Sequence, residues 1–203
     1  QIVEQGDLGP PLRVSIDMDG DGSYTGPEDI QLGYANVKAI EIYMVAGDDR
    51  VVLSFQSQSV SVTRVHVGLG AGNDSFVMTT AWGGGEQARI YQGNFHLSVS
   101  AGAGNDDVKA QFCQVVESDV VISYDMGAGD DTASITFTDR TGGVRAEARM
   151  GDGDDKFAVA FTGEHARLVE DVEVSAYGGP GPDTLRAYSA MEPGRTLSGP
   201  LHL

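Results

Sequence analysis

Aspartate residues recur along this chain within a glycine-containing segment, and they are its first candidates for chemistry. The segment reads Gly-x-Gly-x-Asp-x-apolar, and it occurs five times in full and once in part. Its aspartates are spaced 25, 32, 25, 24 and 28 residues apart. Such recurrence indicates a protein built from repeated structural units. The segments are Val45–Val51 (partial), Gly70–Phe76, Gly102–Val108, Gly127–Ala133, Gly151–Phe157 and Gly179–Leu185.

Stacking of these segments in register would place their aspartates in one line. Two carboxylates about 5 Å apart repel by roughly 3 kcal/mol at an effective dielectric constant of 20. Cations between the turns would remove this repulsion, and carboxylate and glycine carbonyl oxygens together suit Ca²⁺. We therefore predict Ca²⁺ between the turns, with a metal-free ladder of Asx turns as the alternative. The candidate ligands are Asp48, Asp49, Asn73, Asp74, Asn105, Asp106, Asp130, Asp131, Asp154, Asp155 and Asp183.

A second calcium motif lies near the N-terminus. Residues 17–28 fit the pattern D-x-[DN]-x-[DN]-G-x5-E and are similar to an EF-hand loop. Residues 13–16 read as a strand, and Gly26-Pro27 would disrupt an exit helix, so we expect an EF-hand-like loop within a β coil. A plain acidic turn is the alternative. The candidate ligands are Asp17, Asp19, Asp21, Ser23 through its carbonyl, Thr25 and Glu28.

Alternating apolar residues flank the Gly/Asp segments and predict the elements that position them. Val65 and Val67 precede one segment, and Ile135 and Phe137 follow another. This period of two indicates strand, turn and strand with one face buried. A repeat of about 25 residues with two strands and a variable third side fits one coil of a solenoid. We predict an all-β protein, a parallel β-solenoid of about seven coils with 25–30 residues each.

No linker or charge boundary divides the 203 residues, so we predict one domain. Its expected parts are an N-terminal cap (1–12), a first coil with the EF-hand-like loop (13–38), the repeat coils (39–187) and a C-terminal cap (188–203).

The Gly-x-Gly-x-Asp segments resemble the hemolysin-type calcium-binding (RTX) repeats, whose nonapeptide is G-G-x-G-x-D-x-U-x. The resemblance covers about seven residues in each coil, and each coil has one such turn. It implies a parallel β-roll with Ca²⁺ held between turns. It also implies a bacterial protein that is secreted or lies at the cell surface.

Composition and motifs restrict the function classes. A net charge of −17 argues against nucleic acid binding, and the longest apolar run of five residues cannot span a membrane. The single cysteine, Cys113, excludes an internal disulfide, and we expect it to be buried. The four histidines have no metal-ligand spacing, and we expect His66 to face solvent.

The function that we predict is therefore a non-catalytic, calcium-stabilised structural, adhesive or binding module. Its expected partners are calcium ions and a cell-surface or matrix polysaccharide or protein. The alternative is a carbohydrate-active β-helix enzyme such as a polysaccharide lyase, hydrolase or epimerase. That alternative needs basic residues or paired carboxylates that converge in a cleft.

Overall fold

The alternating segments form β-strands, and the computed structural model contains no helix in the residues that it describes. These residues are 2–4, 12–17, 30–34, 37–55, 59–60, 62–80, 89–90, 94–113, 119–138, 142–162, 172–190 and 201–202. There is accordingly no long apolar helix among them that could cross a membrane. The strands are β1 (Ile2–Glu4), β2 (Leu12–Asp17), β3 (Ile30–Tyr34), β4 (Val37–Tyr43), β5 (Arg50–Ser54), β6 (Ser59–Val60), β7 (Arg64–Ala71), β8 (Ser75–Thr79), β9 (Arg89–Ile90), β10 (Phe95–Ala103), β11 (Asp107–Cys113), β12 (Val120–Ala128), β13 (Thr132–Thr138), β14 (Val144–Arg149), β15 (Lys156–Thr162), β16 (Val172–Tyr177), β17 (Thr184–Ala190) and β18 (Leu201–His202).

Two eight-stranded sheets are built from strands that alternate along the chain. The first sheet has the order β1-β4-β7-β10-β12-β14-β16-β18, and the second has the order β17-β15-β13-β11-β8-β5-β2-β3. Each Gly/Asp turn therefore connects a strand of the first sheet to a strand of the second. Six such units, from β4–β5 to β16–β17, stack with parallel pairing, so the chain makes five full turns between them. The protein is a parallel β-solenoid, as the repeats predict.

A short third side joins the second sheet back to the first. Strands β6 and β9 pair in parallel there, with Ser59 opposite Arg89 and Val60 opposite Ile90. These strands lie in the variable segments between the repeats. In these two coils, the third side therefore stacks in the same direction as the two large sheets.

The core lies between the two sheets, because alternate residues of every coil point inward. In the second sheet, equivalent inward residues pair in register from coil to coil and are at most 2% exposed. Deeper in the same sheet, the ring of Phe137 stacks on Phe112 and on Phe161 with centroid distances of 5.1 and 5.2 Å. The expected interior column is present: Leu53, Met78, Ala110, Ile135 and Val159.

The N-terminal strands do not form a further parallel coil. Strand β2 pairs antiparallel with β5 and with β3, and β1 pairs antiparallel with β4. The described strands therefore give six stacked units, slightly fewer than the expected total of about seven coils. Strand β3 follows β2 in the chain and returns beside it, as antiparallel pairing permits, whereas a parallel neighbour in the same sheet needs a full crossover. These antiparallel strands close one end of the stack.

Ile135 provides a test of the interior register, because its side chain is fully enclosed. Ile135→Asp would bury an unpaired charge, and we expect it to lower the free energy of unfolding by at least about 4 kcal/mol. Ser134→Asp is the matched control, since the neighbouring side chain points outward beside Lys109 of the next strand. Urea unfolding followed by circular dichroism would measure both. Equal stability of the two variants would contradict the register.

Candidate metal-binding turns

The six Gly/Asp turns lie directly above one another, and glycine is what permits this. Gly104 has a φ of 133°, and a Cβ built on it would overlap the carbonyl oxygen of Gly72 in the turn before. Gly47, in the first turn, also has a positive φ of 122°, but no described atom lies within 4 Å of such a Cβ. Close backbone approach therefore requires glycine from the second turn onward. We number the turns first (Val45–Asp49), second (Gly70–Asp74), third (Gly102–Asp106), fourth (Gly127–Asp131), fifth (Gly151–Asp155) and sixth (Gly179–Asp183).

The last aspartate of each turn belongs to a vertical ladder, which we call the inner column. In it, the backbone N–H of one aspartate donates to Oδ1 of the equivalent aspartate in the next turn. The distance is 2.8 Å at the first four steps and 3.2 Å from Asp155 to Asp183. The inner column consists of Asp49, Asp74, Asp106, Asp131, Asp155 and Asp183.

The residue before each of these aspartates forms a second ladder, the outer column, which runs in the opposite direction. Here the backbone N–H of one residue donates to the side-chain Oδ1 of its equivalent in the turn before, at 2.8 to 3.0 Å. Pro182 occupies this place in the sixth turn and has no N–H to donate, so the ladder ends at Asp154. The outer column consists of Asp48, Asn73, Asn105, Asp130 and Asp154.

Four inner carboxyl groups are enclosed and only half satisfied. Their side chains are at most 2% exposed, although Lys, Glu, Arg and Asp are rarely buried without a partner. Oδ1 accepts the N–H described above, whereas Oδ2 has no hydrogen-bond partner among the described residues. An unsatisfied buried acceptor costs about 1–3 kcal/mol, and more if it is charged. Each of these oxygens therefore needs a proton or a cation: Asp74, Asp106, Asp131 and Asp155.

Burial also raises the pKa of these carboxyl groups. Desolvation raises the pKa of Asp106 to about 6, and the charge of Asp74 adds to the shift, while the N–H of Asp74 opposes it. Desolvation raises the pKa of Asp131 to about 7, helped by the charges of Asp106, Asp155 and Asp130. The pKa values of Asp74 and Asp155 are raised for the same first reason. The column thus resists ionisation unless positive charge is supplied.

The six aspartates that were expected to lie in one line form the inner column, and the other predicted turn residues lie beside them in the outer column. The EF-hand-like loop cannot be compared, because Asp19, Asp21, Ser23, Thr25 and Glu28 lie outside the described residues. Asp17 ends β2, where its backbone pairs with Arg50. Within the described ranges, no group of three or more His, Cys, Asp or Glu side chains is gathered closely enough to hold a metal ion.

A groove with charged lining residues runs along the start of the first-sheet strands. Its volume is about 580 Å³, and its charged lining residues are Asp119, Arg145 and Glu173. Arg145 donates from Nε to Oε2 of Glu173 at 2.8 Å, and Asp119 accepts the N–H of Gly143 at 3.1 Å through Oδ1. Both acidic side chains thus bind neighbouring coils.

Sequence reasoning missed the polar groups whose roles depend on neighbouring coils. Tyr124 lies in the core, its hydroxyl has no hydrogen-bond partner within the described part of the chain, and burial raises its pKa. Its alternation with Ile122 indicates burial, but nothing in the sequence indicates a missing partner.

Cys113 is buried, as expected, and its N–H donates to the Thr80 hydroxyl at 2.7 Å. His66 lies partly exposed, with its ring 5.4 Å from that of Tyr43.

Comparisons of the chain with protein-family models, with curated proteins and with solved structures found no match. The repeats and the geometry of the turns are therefore the basis for a functional proposal.

Two glycine substitutions distinguish the cost of a positive φ from the cost of close contact between successive turns. Gly47→Ala meets only the strain of a positive φ, which we expect to lower the free energy of unfolding by about 1 kcal/mol. Gly104→Ala also pushes two turns apart, and we expect a further loss of about 1–3 kcal/mol. Urea unfolding of both variants measures the difference. A Gly104→Ala variant as stable as Gly47→Ala would show that the turns are not packed so closely.

The raised pKa values predict how stability depends on pH in metal-free protein. Between about pH 4 and pH 7 the folded state binds more protons than the unfolded chain, because the pKa values of Asp106 and Asp131 rise to about 6 and 7. The stability that they contribute is complete below pH 4 and is lost as pH rises through these values.

We therefore expect the melting temperature in EDTA to fall from pH 5 to pH 7.5. Asp106→Asn with Asp131→Asn should flatten this dependence, because an amide does not titrate. The control is Asp125→Asn with Glu147→Gln, which removes two charges from the outer face of the first sheet and should keep the slope. Identical slopes in all three proteins would mean that the inner carboxyl groups do not titrate in this range.

Proposed function

We propose that this protein is a non-catalytic structural or binding module, secreted or at a bacterial cell surface, whose stacked turns bind Ca²⁺. One observation carries the proposal: four enclosed carboxyl groups in a line each retain an oxygen that has no hydrogen-bond partner among the residues that the structure describes. A cation would bind that oxygen and would also neutralise the negative charge of the column. The long repeat and the Gly-x-Gly-x-Asp resemblance support calcium as that cation.

The donor set is compatible with calcium but incomplete in the metal-free arrangement. Asp74, Asp106, Asp131 and Asp155 would supply carboxylate oxygens, and the outer column would supply carboxylate or amide oxygens beside them. These are hard oxygen ligands, which suit Ca²⁺ better than softer metals. Since no three acidic groups are gathered within the part of the chain that the structure describes, turn carbonyls and water would have to complete the shell. The EF-hand-like loop at residues 17–28 is a second proposed site.

Charge balance favours a cation over protons alone. The chain carries a net charge of −17, and its turns concentrate carboxylates along one edge. Protonation would neutralise the inner column only below about pH 7, where the pKa values permit it. A bound divalent ion acts at any pH at which the carboxylates are ionised, and it stabilises the fold by RT ln(1 + [L]/Kd).

The groove gives less support to the alternative, a carbohydrate-active enzyme. Glycoside hydrolysis uses two carboxyl groups on either side of the scissile bond. Glu173 is paired with Arg145, with Nη2 and Oε2 2.7 Å apart, and Asp119 binds the backbone of the next coil. Each acidic group therefore already has a structural contact in the groove, and we favour the non-catalytic module.

The proposal predicts that calcium raises the melting temperature through the turns. The test uses Asp17→Ala with Glu28→Ala, so that the EF-hand-like loop cannot contribute. We expect CaCl₂ at a hundredfold excess over Kd to add about 2.7 kcal/mol per site, and hence several degrees. NaCl of equal ionic strength should do less, because it only screens exposed charge.

The control for that experiment adds Asp106→Asn and Asp131→Asn to the same variant. These changes keep the Oδ1 acceptors of the ladder and remove two enclosed carboxylates. The calcium response should then be smaller while the circular dichroism spectrum is retained. If EDTA and CaCl₂ give the same melting curve in the parent variant, the inner column is a metal-free hydrogen-bond ladder.

A further inference from the structure

The outer face of the first sheet changes its charge at strands β7 and β10. The strands around them, β4, β12, β14 and β16, each carry an outward acidic residue, namely Glu41, Asp125, Glu147 and Glu173. The outward residues of β7 and β10 that precede their turns include no acid. We call these residues the basic patch, which consists of Arg64, His66, Gly68, His96, Ser98 and Ser100. In a chain of net charge −17, an anion therefore meets less repulsion here than over the neighbouring strands.

One end of the basic patch presents an arginine beside a histidine. Arg64 lies directly opposite His96 in the parallel pairing of β7 and β10, and both side chains are exposed. Arg64 belongs to none of the ion pairs that the described residues form, whereas Arg145 on the same face is paired with Glu173. A guanidinium offers several donors in a plane, which match the oxygens of a carboxylate or sulfate group. This end of the patch therefore suits an anionic group of a ligand.

An exposed aromatic ring lies at the other end of the patch. Tyr43 is 62% exposed, and its ring reaches from β4 across to β7. Its Cδ1 is 3.4 Å from the place that a Cβ on Gly68 would occupy, and its ring centroid is 5.4 Å from that of His66. The lack of a side chain at Gly68 thus lets the ring lie close to the sheet. Such a ring offers apolar surface to the C–H groups of a sugar, beside a hydroxyl that can form hydrogen bonds.

The two ends of the patch are separated by a distance that a short oligosaccharide spans. Arg64 and Gly68 are four residues apart on β7, which corresponds to about 13 Å along the strand. Between them, the imidazole of His66 lies opposite the hydroxyl-bearing Ser98 of β10. Both side chains can form hydrogen bonds with sugar hydroxyl groups. A ligand that lies along the strands can therefore meet polar groups over its whole length.

The position of the patch favours a glycan over a peptide. Strands β7 and β10 are each paired on both sides, so an extended peptide cannot join them as a further strand. Recognition must therefore use side chains on an open face. These side chains are a basic pair, hydrogen-bonding groups and an exposed ring, and an acidic sugar carries the complementary anion, hydroxyl groups and C–H surface.

We propose that the basic patch and Tyr43 bind an anionic polysaccharide, with a carboxylate or sulfate group at Arg64 and His96 and a sugar ring against Tyr43. This inference rests on the proposed function only in that the protein is a binding module. It does not require calcium in the turns.

The test is a calorimetric titration of the whole chain at 0.15 M KCl with four hexameric probes. Two are anionic glycans, hexagalacturonate with carboxylates and a sulfated galactose hexasaccharide, and their relative Kd values identify the anionic group. The neutral control is cellohexaose, and the peptide control is hexaglutamate. We expect one anionic glycan or both to bind at least about tenfold more tightly than either control. Each titration is run with EDTA and with CaCl₂, because calcium could bridge an acidic sugar to the acidic turns.

Substitutions at both ends of the patch identify the site. Arg64→Ala with His96→Gln should weaken binding of the anionic glycan about tenfold or more. The control, Arg50→Ala with Lys156→Ala, removes exposed positive charge from the second sheet and should change Kd less than about twofold. Tyr43→Ala should weaken binding about fivefold, whereas Tyr43→Phe keeps the ring and should stay within about twofold. All these side chains are exposed, so melting temperatures should stay within about 2 °C of the parent.

The outcomes separate this inference from the proposed calcium binding. The inference is wrong if neither anionic glycan binds, or if cellohexaose or hexaglutamate binds as tightly. It is also wrong if Arg64→Ala with His96→Gln, or Tyr43→Ala, leaves Kd within twofold. The calcium response of the melting temperature is a separate measurement, so failure of glycan binding leaves that result unchanged, and loss of the calcium response leaves this one unchanged.

Discussion

Parallel stacking in register is the constraint on which the other features of this protein depend. Every turn must lie directly above the one before, so a side chain that occurs once per coil becomes a continuous column. Where the recurring side chain is apolar, the column forms part of the core, as in the stacked rings of Phe112, Phe137 and Phe161. Polar residues give the inner and outer columns. The same repetition that builds a core therefore also concentrates charge.

In the inner column, hydrogen bonding of the backbone favours buried aspartates, whereas burial of their charge opposes them. Each aspartate is useful because its Oδ1 binds the N–H of the preceding turn, which otherwise would be buried without an acceptor. The same burial leaves Oδ2 without a partner and raises the pKa of the carboxyl group. A column of aspartates is stable when protons or cations neutralise it, and this links stability to the ionic surroundings.

The two ends of the stack are built differently. At one end, the antiparallel strands β1, β2 and β3 cover the first unit, which prevents the addition of another parallel coil. At the other end, Pro182 interrupts the outer column, and the last step of the inner column is longer. Strand β18 pairs with only two residues of β16. The middle turns are therefore the most uniform part of the molecule, and they contain the enclosed carboxyl groups.

The sequence by itself determined the class of fold, because period-two alternation on both sides of a recurrent Gly/Asp turn is compatible with few structures. It also determined the interior register, since Ile135 can pair with Ala110 and Val159 only if equivalent residues stack. Only the tertiary structure decided the number of coils, because pairing direction at β2 depends on which neighbour it meets in space. The structure also divided the acidic turn residues into two columns of opposite polarity. Sequence spacing places Asp130 and Asp131 in the same turn, but which carboxyl oxygen becomes buried, and which N–H reaches it, depends on contacts 24 and 25 residues away along the chain.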